Sequence, residues 1–465
     1  MLFSSISFLF YFLPAIILLY YIVPFKFKNT VLLAFSLFFY AWGGVKYAGL
    51  MCIAIALGYV FGLLIEKYRE RKIAKVFVGL AVACIISFML YFKYMDFFID
   101  NFNKVLGTSI PLLKIVLPIG ISFYTFQIIS YVVDVYRGEK AQKNPINLAA
   151  YVAMFPQLIA GPIVRYHDVA RELEHREHSF TMFGEGARRF VIGLAKKVLI
   201  ANSMYDFSEI MYAAEEKTVL AYWLYAISVA LYIYFDFSGY SDMAIGLGKI
   251  FGFHFLENFN YPFISKSATE FWRRWHMSLG SWFRDYLYIP LGGNRVSKGR
   301  HIINIFAVWL FTGFWHGASW NFILWGVFFG VLLLIEKFWL LKALNKSVVL
   351  SRVYILLAAL LSFVVFQIPT LPEAFSYIGG MFGAGGIAFS SAETLYYLKS
   401  FAVLLIMAVV GATPVVKNLA IKFSESKKLG KVANVLEPVM IVVLFFVVTA
   451  FLVDSSSNPF LYFRF

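Results

Sequence analysis

The chain has 465 residues and a formal net charge of +15; 14% of its residues are charged, 61% are hydrophobic and 20% are aromatic. An ordinary soluble domain carries about 25% charged residues, so this composition excludes a soluble globular protein and indicates a membrane protein. The lysines and arginines stand in short clusters between apolar segments, and no DNA- or RNA-binding motif accompanies them, which excludes a nucleic-acid-binding protein.

Apolar segments long enough to cross a bilayer recur along the whole chain, since a spanning helix needs about 20 apolar residues. We predict one all-α integral membrane domain over 1–465, with about ten or eleven membrane helices and no β-barrel or repeat pattern. The clearest spans are 6–24, 30–42, 46–65, 73–92, 115–135, 218–235, 353–368, 400–416 and 438–453. The first is predicted to be a retained helix, because no basic residue precedes it.

The basic clusters predict the topology. They lie at 26–28, 67–75, 137–143, 295–300 and 417–431. Cytoplasmic loops are enriched in lysine and arginine, so we expect these clusters to face the cytoplasm and both termini to lie outside.

The two cysteines, Cys52 and Cys84, lack metal-ligand spacing, so we expect neither a disulfide nor a metal site.

Two segments in the middle of the chain differ from ordinary spans. Residues 154–168 are apolar but contain Pro156, Gly161 and Pro162. Irregular backbone at membrane depth must lie inside protein or against a water-filled cavity. The sequence therefore leaves two interpretations, a re-entrant segment or an interfacial loop. Residues 186–200 carry four basic side chains among aliphatic ones, a pattern typical of a helix lying on an anionic membrane surface.

Two carboxylates stand at the end of the apolar span 218–235. Asp236 and Asp242 flank a predicted Ser-Gly turn in the stretch YFDFSGYSD. We expect them either to orient a histidine or neutralise an arginine, or to form a structural ion pair or a helix cap.

An amphipathic helix rich in tryptophan and arginine is predicted over 270–294. At about 100° per residue its aromatic side chains share one face, and His276 lies at the edge of that face, beside Trp272 and Phe283. The charged residues on the opposite face are Arg273, Arg274, Arg284 and Asp285. We expect the helix at the membrane interface, with its arginines near phosphate headgroups or an anionic substrate. His276 is then either a functional group or an incidental part of an anchor helix.

His316 is the one acid–base side chain in the apolar run 302–335. As a single helix this run would be about 51 Å long, at 1.5 Å per residue, against about 30 Å of hydrocarbon. It therefore forms either a steeply tilted helix or a hairpin that returns to the cytoplasm, and both place His316 near mid-membrane. A histidine there is costly unless it is paired or faces water, so it is either functional or a packing histidine bonded to a neighbour.

The absence of several well-known motifs limits the reactions that the sequence supports. No P-loop, dinucleotide-binding glycine pattern, nucleophile elbow or zinc-protease motif is present. A histidine acting as general base on a hydroxyl fits the residues that remain, provided that the acyl donor is already activated, as in a thioester. The other histidines are predicted to be solvated or structural: His167, His175, His178, His254 and His301.

Several stretches resemble the membrane-bound O-acyltransferase family, and within it the branch of bacterial alginate O-acetyltransferases. They span most of the chain: LPIGISFYTFQIISYVVDVYRGE (117–139), FPQLIAGPIVRY (155–166), YFDFSGYSDMAIGLGKIFGF (234–253), ENFNYPFISKSATEFWRRWHMSLGSWFRDYLYIPLGGNR (257–295), GFWHGASW (313–320) and NPFLYFRF (458–465). The Trp-Arg-Arg-Trp-His and Trp-His-Gly motifs occur in the family order and are the specific part of the resemblance.

The resemblance implies a ring of helices around a thin central region with re-entrant segments, and a role for particular residues. The family's catalytic histidine falls on His316 and its second functional histidine on His276. The residues expected to bind or position substrate are Trp272, Arg273, Arg274, Trp275, Arg284, Asp285, Trp315 and Asp236.

The implied reaction moves an acyl group, acetyl in this branch, from a cytoplasmic thioester such as acetyl-CoA towards the outer face of a bacterial inner membrane. The acceptor is a hydroxyl of an extracytoplasmic polysaccharide such as alginate, or the serine of a partner acetyltransferase outside the membrane. No tightly bound cofactor is expected. Two other classes stay open, a transporter of a polysaccharide or lipid-linked sugar and a membrane scaffold that recruits a soluble acetyltransferase.

Overall fold

The computed structural model describes residues 1–426, 429–454 and 459–460, and all regular secondary structure in these ranges is helical. Seven helices among them are long and apolar enough to cross a membrane, which confirms an all-helical, multi-pass membrane protein. They are Val45–Lys67, Ile73–Leu106, Val219–Ile250, Trp320–Leu344, Val348–Gln367, Ala392–Gly411 and Gly430–Asp454. The second and the fourth each consist of two α-helices joined by a π-helical turn, at Leu90–Tyr94 and Glu336–Leu340.

The chain forms two compact units. Met1–Phe190 and Met243–Leu256 make up the first unit, and Val191–Asp242 and Glu257–Arg464 make up the second. A single membrane domain over 1–465 stays a prediction.

The first unit contains the N-terminal helices. Their bounds are α1 Leu13–Ile22, α2 Phe25–Ala41, α3 Val45–Lys67, α4 Ile73–Met89, α5 Met95–Leu106, α6 Ile121–Arg137, α7 Pro145–Ala153, α8 Phe155–Leu158, α9 Tyr166–Glu174 and α10 Phe180–Ala195, of which α10 continues into the second unit. Helix α6 begins six residues after the predicted start at 115 and is buried along most of its length. Gly62 of α3 allows close packing on α6, since a Cβ there would lie 2.5 Å from the Tyr131 hydroxyl.

The second unit contains the remaining helices. Their bounds are α11 Asn202–Ala213, α12 Val219–Ile250, α13 Ala268–Arg274, α14 Met277–Phe283, α15 Lys298–His316, α16 Trp320–Ile335, α17 Leu341–Leu344, α18 Val348–Gln367, α19 Leu371–Met381, α20 Ala392–Gly411, α21 Val415–Glu425 and α22 Gly430–Asp454; the end of α12 belongs to the first unit.

Most of the irregular segment at 154–168, up to position 164, is buried inside the first unit. Every residue from 151 to 164 is buried, and only the short helix α8 interrupts the non-helical backbone between α7 and α9. Gly161 is needed for the bend, because a Cβ there would lie 2.6 Å from the Gln157 Cα. This burial agrees with the requirement that irregular backbone at membrane depth lie inside protein.

The run 302–335 forms a helical hairpin. Helix α15 ends at His316, three residues make the turn, and α16 begins at Trp320. The two helices pack through glycines, because a Cβ on Gly313 would lie 2.3 Å from the Phe322 carbonyl oxygen and 3.3 Å from the Gly326 Cα. The structure therefore decides between the tilted helix and the hairpin, and it places His316 at the turn.

Candidate functional site

His316 lies at the end of α15 among aromatic rings. Its imidazole centroid is 4.9 Å from the ring of Trp315, 5.0 Å from that of Trp325 and 5.3 Å from that of Phe366. We call this set, together with Trp272, the aromatic chamber; Trp272 joins it through Trp325, at 5.3 Å between ring centroids. His316 is partly exposed.

Hydrogen bonds at the hairpin turn hold the chamber together. The Ser319 hydroxyl accepts from the Asn321 amide and caps α16. The Asn321 side chain donates to the carbonyl oxygens of Val365, at 3.2 Å, and Ile368, at 2.7 Å. These two bonds fix the end of α18 against the start of α16, and so keep Phe366 beside His316.

Two indole N–H groups of the chamber are available as donors. Trp272 Nε1 and Trp325 Nε1 are buried and have no acceptor within the described ranges. A buried N–H without an acceptor is unfavourable by about 1–3 kcal/mol. Both groups therefore favour a ligand with a carbonyl or anionic oxygen.

The prediction of one continuous helix over 270–294 is wrong, because the helix breaks at His276. Trp275 is extended, His276 has φ 44° and ψ 54°, and α14 starts at Met277. The segment before α13 causes the break: the Asn258 carbonyl accepts from the Met277 amide at 2.9 Å, and the Asn260 amide donates to the Arg274 carbonyl at 2.9 Å. Tertiary hydrogen bonds thus replace those of a straight helix.

His276 is buried at this break, with 2% of its surface exposed. Its ring lies perpendicular to that of Phe237, at 4.6 Å between centroids, and 6.1 Å from that of Trp315. Its Nδ1 is 3.1 Å from the Asn258 Oδ1. Burial lowers the pKa of His276 to about 3, so its imidazole is neutral. Both predicted histidines therefore contact the same indole, that of Trp315.

The other predicted positions on α13 and α14 differ in role. Trp275 packs in the interior, stacked on Phe271 at 5.5 Å and near Phe363 at 5.3 Å. Arg274 forms an ion pair with Glu270 at 2.9 Å. Beyond α14, Arg284 pairs with the adjacent Asp285 at 2.7 Å. Arg273 is exposed, with no ion-pair partner in the described part of the chain.

Asp236 points at a lysine. Its carboxylate lies 2.6 Å from the Lys197 Nζ, and both side chains are almost completely buried. Lys197 also donates to the Asn202 Oδ1 at 2.9 Å and to the Pro459 carbonyl oxygen. The prediction left open an ion pair or the orientation of a histidine, and the structure shows the ion pair.

Two further sequence interpretations of this region are wrong. The predicted Ser-Gly turn lies inside α12, where Gly239 serves close packing instead, since a Cβ there would lie 2.7 Å from the Gly193 carbonyl oxygen. The basic residues at 186–200 do not all face a membrane surface, because Lys197 is buried and Lys196 pairs with Asp242 at 2.6 Å. Lys196 and Lys197 therefore each pair with an aspartate of α12, Asp242 and Asp236, rather than with lipid headgroups.

Most of the remaining histidines have polar partners. His167 bonds Asp134 and Asp168, His178 bonds Tyr20, His254 bonds Glu172, His301 bonds Tyr288 and Lys337, and His175 contacts the Phe25 ring. These contacts are those of structural side chains.

Sequence reasoning missed four residues near the predicted site: Asn258, Phe237, Trp325 and Phe366. Asn258 and Phe237 lie in stretches that carry the family resemblance, but nothing local marks them as partners of a histidine. Trp325 follows His316 by nine residues, and the hairpin interpretation alone would have placed it near the turn. Phe366 comes from α18, and no sequence signal links it to His316.

Comparison with known proteins covers the whole chain. The model of the membrane-bound O-acyltransferase family matches residues 132–372, which include both histidines. The chain is 43% identical over 392 residues to the probable alginate O-acetylase of Azotobacter vinelandii, covering 83% of this chain and 79% of that protein. It is 37% identical over 490 residues to the probable alginate O-acetylase of Pseudomonas putida, covering 100% of both. It is 33% identical over 428 residues to the peptidoglycan O-acetyltransferase of Helicobacter pylori, covering 83% and 81%.

Proposed function

Because this chain belongs to the membrane-bound O-acyltransferase family and is an acyltransferase of the membrane, we propose that it O-acetylates an extracytoplasmic polysaccharide such as alginate. The donor is a cytoplasmic acyl thioester such as acetyl-CoA, and no tightly bound cofactor takes part. The acetyl group passes to a sugar hydroxyl directly or through the serine of a partner acetyltransferase outside the membrane. The names of the relatives, for alginate and peptidoglycan O-acetylation, support the polysaccharide.

The observation that carries this proposal is the pair of histidines beside Trp315, with ring centroids 6.1 Å and 4.9 Å from that of the indole, one histidine buried and one partly exposed. His316 acts as general base and removes the proton of the acceptor hydroxyl while its oxygen attacks the thioester carbonyl carbon. The carbon–sulfur bond then breaks, and the leaving thiolate takes the proton back from the imidazolium. The products are an ester and a free thiol.

The surroundings of His316 favour this chemistry. His316 is the last residue of α15, where the partial negative charge of a helix C-terminus stabilises a transient imidazolium by about 0.3–1 kcal/mol. We assign to the Trp325 and Trp272 N–H groups, which are buried without an acceptor in the described residues, the role of donors to the thioester oxygen as it gains negative charge. Arg273, exposed on α13, is our candidate for contact with the phosphates of the donor.

The membrane arrangement completes the proposal. We assign ten or eleven membrane segments, which include the seven helices long and apolar enough to cross a membrane, and a re-entrant segment at 154–168. The burial of 151–164 supports the re-entrant segment. We assign the protein to a bacterial inner membrane, and the distribution of the basic clusters supports an orientation with both termini outside.

The test is the His316→Ala variant, assayed for labelled acetyl transfer from acetyl-CoA in membrane vesicles and for polymer export in cells. The proposal expects acetylation to fall by about 10²–10⁴-fold, with export and chain length unchanged. His254→Ala is the matched control, because His254 bonds Glu172 in the first unit and its loss leaves acetylation intact. Loss of export in His316→Ala would favour a transporter, and retained acetylation in a folded variant would favour a scaffold.

A further inference from the structure

Asn258 is a buried amide whose orientation its neighbours determine. Its Oδ1 accepts from the Ser278 backbone N–H at 3.3 Å and from the Ser278 hydroxyl at 2.9 Å, and its Nδ2 donates to the Ser241 hydroxyl at 2.8 Å. A backbone N–H only donates, so the side-chain atom facing it must be the carbonyl oxygen. A flipped amide would set two donors against each other.

The same oxygen determines which nitrogen of His276 carries the proton. The His276 Nδ1 lies 3.1 Å from the Asn258 Oδ1, and an amide oxygen cannot donate. Nδ1 must therefore carry the hydrogen. A neutral imidazole has one N–H, so its Nε2 keeps a lone pair.

The Nε2 of His276 is buried and has no hydrogen-bond partner among the residues with described positions. Histidines with a functional Nε2 commonly donate Nδ1–H to a carboxylate, which stabilises the imidazolium. Here the partner is a neutral amide, which fixes the tautomer but does not stabilise a positive charge. His276 is therefore suited to accepting a hydrogen bond and poorly suited to holding a proton.

We propose that Asn258 is a positioning residue that holds His276 in the Nδ1–H tautomer, so that the Nε2 lone pair accepts a hydrogen bond from the acceptor hydroxyl. This role rests on the proposed function, because it assumes that a hydroxyl binds beside His276. It assigns the two histidines separate tasks: His276 orients the hydroxyl and His316 removes its proton. The backbone of Asn258 adds to the effect, since its carbonyl also fixes the Met277 amide after the break.

Two substitutions at position 258 separate positioning from support of the fold. In Asn258→Leu the side chain no longer accepts from Nδ1, and we expect kcat to fall by about 10–100-fold. In Asn258→Asp both hydrogen bonds from Ser278 and the one from Nδ1 persist, and the Ser241 hydroxyl can rotate to donate. The carboxylate also stabilises the imidazolium, so we expect partial recovery of kcat and a His276 pKa at least about one unit higher than in the wild type, followed by ¹⁵N NMR.

The readout that does not depend on activity is ¹⁵N NMR of the full-length protein labelled at histidine, in nanodiscs. The His276 signals are assigned by difference from His276→Gln. We expect a protonated Nδ1 and an unprotonated Nε2 in the wild type and in Asn258→Asp, and a mixture of tautomers in Asn258→Leu. A matched control is Asn304→Leu, which removes another buried asparagine, one that donates to the carbonyls of Leu291 and Gly293, and should leave the tautomer and the pKa of His276 unchanged.

A protonated Nε2 in the wild type would overturn the inference, as would an unchanged His276 pKa in Asn258→Asp. The proposed function fails separately, if His316→Ala keeps its acetyl transfer, and the tautomer result does not depend on that outcome.

Discussion

His276 and His316 both contact Trp315, but the protein holds them in different ways. His276 lies in a left-handed break between two short helices, 2% exposed, with its Nδ1 bonded to Asn258. His316 ends a long helix, is partly exposed, and is surrounded mainly by aromatic rings. A ring fixed by hydrogen bonds and deprived of water suits orientation of a substrate, whereas an accessible ring at a helix C-terminus suits proton transfer.

The same substitution at both histidines gives the largest effects and tests this contrast most directly. In His316→Gln the amide cannot take a proton, and we expect acetyl transfer to fall by about 10³-fold. In His276→Gln the amide oxygen can still accept a hydrogen bond, and we expect a loss of about 10–100-fold. Initial rates with labelled acetyl-CoA in proteoliposomes, normalised to folded protein, measure both. Equal losses would show that the two histidines share one task.

The glycines near the two histidines give a smaller and structural contrast. Gly313→Ala puts a Cβ 2.3 Å from the Phe322 carbonyl oxygen, so the hairpin must open and His316 must move away from Trp325. We expect a destabilisation of about 1–3 kcal/mol and a lower kcat. Gly280→Ala, in the helix after His276, meets only the Trp272 carbonyl oxygen at 3.8 Å and should be tolerated. Thermal unfolding in detergent measures both, and a Gly313→Ala midpoint equal to that of Gly280→Ala would contradict the tight hairpin.

His167 offers a third case for the comparison of histidine environments. Its hydrogen-bond partners are carboxylates, whereas the partner of His276 is an amide. Hydrogen bonds to Asp134 and then to Asp168 raise the pKa of His167 to about 9. A raised pKa stabilises the fold fully below the ordinary value of about 6.5 and this contribution is lost as pH rises through about 9. We expect a small fall in the thermal midpoint between pH 7 and 10, which His167→Gln removes. The effect is small, since partly exposed pairs contribute about 0.2–1 kcal/mol. An unchanged slope in His167→Gln would contradict this assignment.

The sequence predicted the parts of the molecule that depend on local pattern. Composition and apolar segment length were sufficient for an all-helical membrane protein, because a spanning helix satisfies its own backbone. The length of 302–335, its central glycines and its basic flanks were sufficient to propose a hairpin with His316 inside it. The two family motifs singled out both histidines, and the structure places both beside Trp315.

The sequence could not predict features imposed by distant contacts. The helical periodicity of 270–294 is regular, and only the hydrogen bonds of Asn258 and Asn260 interrupt it at His276. The pairing of Asp236 with Lys197 is likewise tertiary, although two isolated opposite charges in apolar segments were a usable signal. A helical wheel describes one helix, and each of these features joins two segments.

The contact between Lys197 and the Pro459 carbonyl oxygen affects biogenesis, because 262 positions separate the two residues along the chain. At about 5–20 residues per second of synthesis, the ribosome takes on the order of 10–50 s to travel between them. Throughout that interval the ammonium group of Lys197 lacks one of its oxygen ligands, in a part of the protein that has already left the ribosome. The second unit therefore reaches its final internal arrangement only after synthesis has passed position 459.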